Sequence, residues 1–222
     1  SIQLLITNIF SMSNFKIFSS LLVVSLLIFS FQKDENKIKT LKVGEEAPMQ
    51  GYKMKSTSNN EETLKTLSKE KGIIVVFSCN TCPFVIGNDS FEGWERDYNK
   101  LNTLANQIGL GFVLVNSNEA KRKKGDGFKD MVKRVKDFEY TMPYLLDKNH
   151  ELADAFGAKT TPHIFMLDNN MKLIYEGAID NTWNPSENKI KPYLVNAMNA
   201  YAEGEEIEIN KTAPKGCSIK RK

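Results

Sequence analysis

The sequence predicts an α/β fold in which a central mixed β-sheet is flanked by helices, and three observations predict it. Residues 72–77 and 111–116 are continuous runs rich in β-branched residues, suited to strands buried on both faces. Between and after them, apolar residues recur at helical spacing. Residues 163–167 and 173–179 flank Asp168-Asn169-Asn170, the turn signal of a β-hairpin. With 222 residues, 41% of them hydrophobic, the chain can bury one good core.

The elements follow in order. The run at 72–77 delivers the chain directly to Cys79. After Pro83 the apolar positions Phe91, Trp94, Tyr98, Leu101 and Ile108 predict a long helix, kinked or restarted at Gly87, with Asp89 and Glu92 spaced as a capping box. Phe128, Met131, Val132, Val135 and Phe138 mark a second amphipathic helix. A short helix at 150–156 closes on Gly157. The last helix, at 189–202, turns Ile190, Leu194, Ala197 and Tyr201 inward, tolerates Pro192 in its first turn and stops at Gly204. Strand, helix, strand, helix, hairpin, helix is the order of a thioredoxin-like fold, here with an amino-terminal extension and an extra helix.

The amino terminus has a different character. Residues 17–31 form an uncharged apolar run after Lys16, too short for the roughly 20 residues of a spanning helix but suited to a signal peptide. Met12 makes a natural start. The division expected is 1–32 for upstream sequence and signal peptide or anchor, 33–42 for a linker, 43–205 for the thioredoxin-like domain and 206–222 for a tail. Export to the periplasm or cell envelope of a bacterium is expected, with the run at 17–31 either cleaved or retained as a membrane attachment. A formal charge of +3 is too small to call for a nucleic-acid partner. Lys121-Arg122-Lys123-Lys124, beside Gly125-Asp126-Gly127, reads as a solvated loop.

Cys79 and Cys82 stand three positions apart, with Pro83 next. A cysteine at the end of a buried strand and the start of a helix meets unpaired N–H groups, which favour a thiolate. Cys79 is therefore the expected nucleophile, and Cys82, one turn on and more buried, the thiol that releases a bound substrate. Thr161-Pro162, at the start of the hairpin strand, is placed to face the pair through a cis bond and to align a partner's backbone. A structural disulfide this tight would constrain the unfolded chain little. Zinc would have to draw on Cys217, His150 and His163 to complete four ligands. Copper(I) held by Cys79, Cys82 and His163 is the better metal alternative. His150 otherwise belongs to a helix start and His163 to a strand.

Six stretches together carry a family likeness: VGEEAP at 43–48, FSCNTCPFV at 77–85, VNSNE at 115–119, TPHIFMLD at 161–168, YEGAIDNTW at 175–183 and GCSIK at 216–220. Over residues 43–220 the sequence resembles a peroxiredoxin-like branch of the thioredoxin superfamily, grouped with the AhpC/TSA proteins and generally described as redoxin or thioredoxin family. The resemblance implies a thioredoxin fold and redox-active Cys79 and Cys82, with no cofactor. Peroxiredoxins carry P-x-x-x-T-x-x-C, and counted back from Cys79 this sequence has Val76 and Gly72 at the threonine and proline positions. Thiol-disulfide exchange with a protein disulfide or dithiol, sustained by an electron-donating redox partner, is therefore the leading expectation. A thiol peroxidase using Cys79 against peroxide is the second, and the copper(I) metallochaperone the third. Cys217 is either a resolving thiol, if the tail folds back over the site, or an unpaired tail thiol.

Overall fold

In the computed structural model, which describes residues 38–222, both ends of this stretch contribute to one sheet-centred unit. Its first half contains β1 (Met54–Ser56), β2 (Glu61–Glu62), α1 (Leu64–Leu67), β3 (Ile73–Ser78), α2 (Pro83–Ile86), α3 (Tyr98–Gln107) and β4 (Gly111–Asn116). The second half contains α4 (Phe128–Asp137), β5 (Tyr144–Leu146), α5 (Glu151–Phe156), β6 (Thr160–Thr161), β7 (His163–Leu167), β8 (Leu173–Gly177), α6 (Tyr193–Glu203) and β9 (Cys217–Ser218). The seven-stranded sheet runs β2-β1-β5-β4-β3-β7-β8, and β6 pairs with β9 in a separate ribbon. β3, β4 and β5 are parallel, whereas β7 and β8 are antiparallel to their neighbours. This is a thioredoxin-like fold. The expected signal or anchor at 17–31 lies outside the described residues. Among the described residues no helix is long and apolar enough to cross a membrane.

Alternation along β3 divides the core into two. Ile74 and Val76 face a cluster completed by Tyr98, Leu101 and Ala105 of α3, Met131 of α4 and Leu194, Ala197 and Met198 of α6. Ile73, Val75 and Phe77 face the other cluster, with Leu64 of α1 and Leu152, Ala153 and Phe156 of α5. Phe77, Phe156 and Phe165 meet edge to face at centroid distances of 5.2–5.7 Å. Each such pair contributes about 0.5–1.5 kcal/mol beyond the area it buries. The result is a rigid central strand whose end, Ser78, fixes where Cys79 begins.

Several elements differ from the sequence reading. The long helix after Pro83 is two helices, because the chain loops out between them. Gly87 and Gly93, both at positive φ, pack so closely that a Cβ on Gly93 would lie 2.3 Å from the Gly87 nitrogen. Asp89 and Glu92 form no capping box there; instead Asn88 Oδ1 accepts the N–H groups of Ser90 and Phe91. α6 starts at Tyr193 with Pro192 as its N-cap, which leaves Ile190 outside the helix and 64% exposed. The short strands β1, β2 and β5 carry too few residues to show a period.

Candidate active site

The site forms where β3 ends. Cys79 follows Ser78, Asn80 and Thr81 make the turn, and Cys82 is the N-cap of α2 with Pro83 at its first position. Proline suits that position because its missing N–H would have no helical partner. The Cys82 carbonyl accepts the N–H groups of Val85 and Ile86 at 2.8 and 2.9 Å. Thr161, joined to Pro162 by a cis peptide bond, stands against both thiols. Its Oγ1 lies 3.1 Å from Cys79 Sγ, and its carbonyl oxygen 3.1 Å from Cys82 Sγ.

Cys217 completes the group. β9 pairs antiparallel with β6, with Cys217 opposite Thr161 and Ser218 opposite Thr160. The Cys217 N–H donates to Cys82 Sγ at 3.3 Å. The tail is thus docked, and it brings Cys217 to the Cys79–Cys82 pair.

Electrostatics in this cluster favours Cys82, rather than the expected Cys79, as the thiolate. The Cys79 thiol is pushed well above its ordinary range by its hydrogen bond to Cys82, by burial and by the Asp126 charge, with the Thr161 hydroxyl opposing. Cys82 is drawn down to about 5, first by the Cys79 thiol and then by the Cys217 thiol, the Cys217 N–H and the Phe84 N–H, against burial. The Thr161 carbonyl accepts from the Cys82 thiol and favours its protonated form, against these donors. Cys217 rises to about 11 through burial and the neighbouring Cys82. The helix amino terminus contributes less than expected, since α2 has four residues and direct donors surround the sulfur. Both Cys79 and Cys82 are 2% exposed, so Cys82 is not the more shielded of the two by accessible surface.

His163 does not join the thiols. Its Nδ1 accepts the Lys159 N–H at 3.1 Å and its Nε2 lies 2.7 Å from Glu176 Oε1, so both ring nitrogens are engaged. The copper(I) arrangement of Cys79, Cys82 and His163 has no free imidazole to use. His150 is the N-cap of α5, paired with Asp154 at 2.7 Å. Among the described residues no group of three or more His, Cys, Asp or Glu side chains could hold a metal.

Sequence reasoning missed the residue that anchors the cysteine turn. Asp126 is fully buried, and the loop that carries it is not simply solvated. Its carboxylate accepts the Asn80 N–H at 2.7 Å, the Thr81 hydroxyl at 2.8 Å and the Asn116 and Asn118 side-chain amides at 3.0 Å. Arg122 braces the same loop through Asn116 Oδ1, the Asp126 carbonyl and the Asp147 carbonyl. The signal available was Gly125-Asp126-Gly127, an acid between two flexible residues, together with the paired amides of Asn116-Ser117-Asn118.

The fold and the thiol cluster together define a thioredoxin-like protein of oxidoreductase type. The chain belongs to the Redoxin family, whose family model matches residues 42–194. It is similar over 83% of its length to an uncharacterized conserved protein from Geobacillus kaustophilus, with 28% identity, a TM-score of 0.70 and 94% of that chain covered. A hypothetical protein from Sinorhizobium meliloti 1021 is similar over 83% of this chain and 97% of its own, at 25% identity and a TM-score of 0.72. PrxQ of Xylella fastidiosa shares the fold at 13% identity and a TM-score of 0.52, over 75% of this chain and 98% of its own. No functionally curated protein matches the sequence.

Proposed function

We propose that the protein is an exported thiol-disulfide oxidoreductase acting on protein disulfides, with Cys82 as nucleophile and Cys79 as resolving thiol. The observation that supports this is Cys82 Sγ, which accepts the Cys217 N–H at 3.3 Å and whose pKa is drawn down to about 5 by its neighbours. The roles are exchanged relative to the order expected from the sequence. The Cys82 thiolate attacks one sulfur of the partner's disulfide, and the partner's other sulfur leaves as a thiolate that takes a proton from water. Cys79 then gives up its proton and attacks the Cys82 sulfur. The partner's remaining sulfur leaves with a proton, the Cys79–Cys82 disulfide forms, and two electrons have passed to the partner. An electron-donating redox partner returns the pair to dithiol.

Thr161 and Pro162 act here as positioning residues, holding Cys79 through the hydroxyl and flanking Cys82 with the carbonyl. Export rests on the apolar run at 17–31 and is tested by cell fractionation. For the chemistry, insulin reduction is measured with the full chain. Cys82→Ser is expected to abolish it, and Cys79→Ser to leave a mixed disulfide mapped to Cys82. Reduction at the parental rate by Cys82→Ser would remove this reading.

A second reading, thiol peroxidase, is favoured by the 2% exposure of both cysteines, since a hydroperoxide is smaller than a polypeptide disulfide. The Cys82 thiolate would take the terminal peroxide oxygen, releasing water or an alcohol, and the resulting sulfenic acid would condense with Cys79 or Cys217 with loss of water. Peroxide turnover that outpaces insulin reduction under the same donor selects it.

A further inference from the structure

Two basic runs from distant parts of the sequence meet beside the cysteine turn. Lys121 to Lys124 lie in the loop after β4, and Lys220 to Lys222 follow β9. The Ala120 N–H donates to the Lys220 carbonyl at 2.9 Å and the Lys220 N–H to Asn118 Oδ1 at 2.8 Å, so the tail run is fastened to the loop run. Both are also tied to the thiols. Asn80 Nδ2 donates to the carbonyl of Gly125, next to Lys124, at 3.0 Å, and Cys217, whose N–H reaches Cys82 Sγ, stands three residues before Lys220. The charges are not all engaged. Arg122 turns inward to brace the loop, and Arg221 pairs with Asp154 at 2.6 Å. Lys123 and Lys124 are exposed and pair with no carboxylate among the described residues, and the Lys222 side chain is 68% exposed despite its 3.4 Å pairing with Glu119. The whole chain carries a formal charge of +3, while these two runs hold seven basic residues, so the remainder is net acidic. Positive charge is thus concentrated beside the cysteine turn, the arrangement that steers an oppositely charged partner.

We propose that the joined basic runs are the docking surface for a polypeptide partner whose disulfide is flanked by Asp and Glu residues. This rests on the thiol-disulfide reading above and adds to it the charge of the partner. Charges at a surface act over about 10 Å at moderate salt, and three extended residues span roughly that length. An acidic segment lying on the lysines therefore holds its neighbouring disulfide beside the cysteine turn. The tail strand stays docked throughout, because the lysines it contributes are part of the surface. A polypeptide suits the place better than a lipid surface or a nucleic acid, since the thiols it adjoins exchange with a sulfur that neither of those carries.

Two measurements on the full chain test this. In the first, fluorescence anisotropy follows binding of the labelled peptide Asp-Glu-Gly-Ser-Gly-Glu-Asp, which carries serine for cysteine and cannot react, and of its neutral counterpart Asn-Gln-Gly-Ser-Gly-Gln-Asn. Binding of the acidic peptide alone is expected, weakening as salt is raised. Lys123→Glu together with Lys124→Glu should weaken it on the order of tenfold and Lys222→Gln by less. Lys69→Glu, in the turn before β3 and away from the thiols, should not change it. Equal binding of the two peptides, binding of neither, or no response to the paired reversal would overturn the proposal whatever the chemistry at Cys82. Binding of phosphatidylserine vesicles without binding of the acidic peptide would overturn it in favour of a lipid surface. In the second, kcat/KM is compared for disulfides of acidic and of neutral peptides and for a small neutral aromatic disulfide. The acidic peptide should be preferred on the order of tenfold at low salt, and the preference should vanish at high salt and in the paired reversal. Cys82-dependent reduction of the small disulfide without peptide preference refutes the docking surface alone. Absence of small-disulfide reduction by the parent refutes the chemistry instead, while the binding experiment still decides the surface.

Discussion

Asp126 accepts the backbone N–H of Asn80 at 2.7 Å, across 46 positions of sequence, and so ties a distant loop to the turn between the two cysteines. Its oxygens take three further donors. Asp126→Asn replaces one acceptor oxygen with a donor group, leaving buried donors unmatched at a cost of about 1–3 kcal/mol. It also removes a negative charge that raises Cys79. Denaturant unfolding of the reduced variant should show the lost stability, and Cys79 should titrate at lower pH than in the parent. An unchanged unfolding midpoint would mean that the turn is held by something else.

Thr161 touches both chemical partners, and its hydroxyl is the contact that lowers Cys79. Thr161→Val keeps the shape and removes that contact, so Cys79 should become harder to deprotonate. A mixed disulfide on Cys82 should then decay about tenfold more slowly, the equivalent of one hydrogen bond of roughly 1.4 kcal/mol. Stopped-flow decay of the mixed disulfide measures this directly, and decay at the parental rate would show that the hydroxyl does not assist Cys79.

His163 links protonation to stability. Burial disfavours its imidazolium and lowers its pKa, while the Glu176 carboxylate partly opposes this. The unfolded chain therefore takes up this proton at higher pH than the folded one. The contribution is fully present above about pH 6.5 and is lost as pH falls through the lowered folded value. Denaturation midpoints measured downward from pH 7 should decline in the parent before the carboxylates titrate, and His163→Gln should flatten that decline. A parent curve that stays flat until the carboxylate range would contradict the buried neutral imidazole.

Much of this fold was legible because its central strands are long enough to show their character. Residues 72–77 and 111–116 read as buried strands, one residue from the observed Ile73–Ser78 and matching Gly111–Asn116, and the hairpin announced itself through Asp168-Asn169-Asn170. β1, β2 and β5 were not legible, since two or three residues carry no usable period. The break after Ile86 was hidden because Phe91, Trp94 and Tyr98 keep helical spacing while the chain between them loops around the contact of Gly87 with Gly93. In the site, the residue types were visible but their charges were not. Which sulfur is ionised depends on donors from Cys217 and Phe84 and on a carboxylate from residue 126. Each arrives through tertiary structure, and the last sits in a stretch whose four basic neighbours advertise solvent.

The location of the negative charge is tested most directly by following thiolate absorbance against pH in the reduced full chain, the Cys79→Ser variant and the Cys82→Ser variant. A transition near pH 5 is expected in the parent and, because serine can still donate to the sulfur, in Cys79→Ser, but not in Cys82→Ser. Retention of the acidic transition in Cys82→Ser with its loss in Cys79→Ser would contradict the assignment of Cys82 as the reactive sulfur.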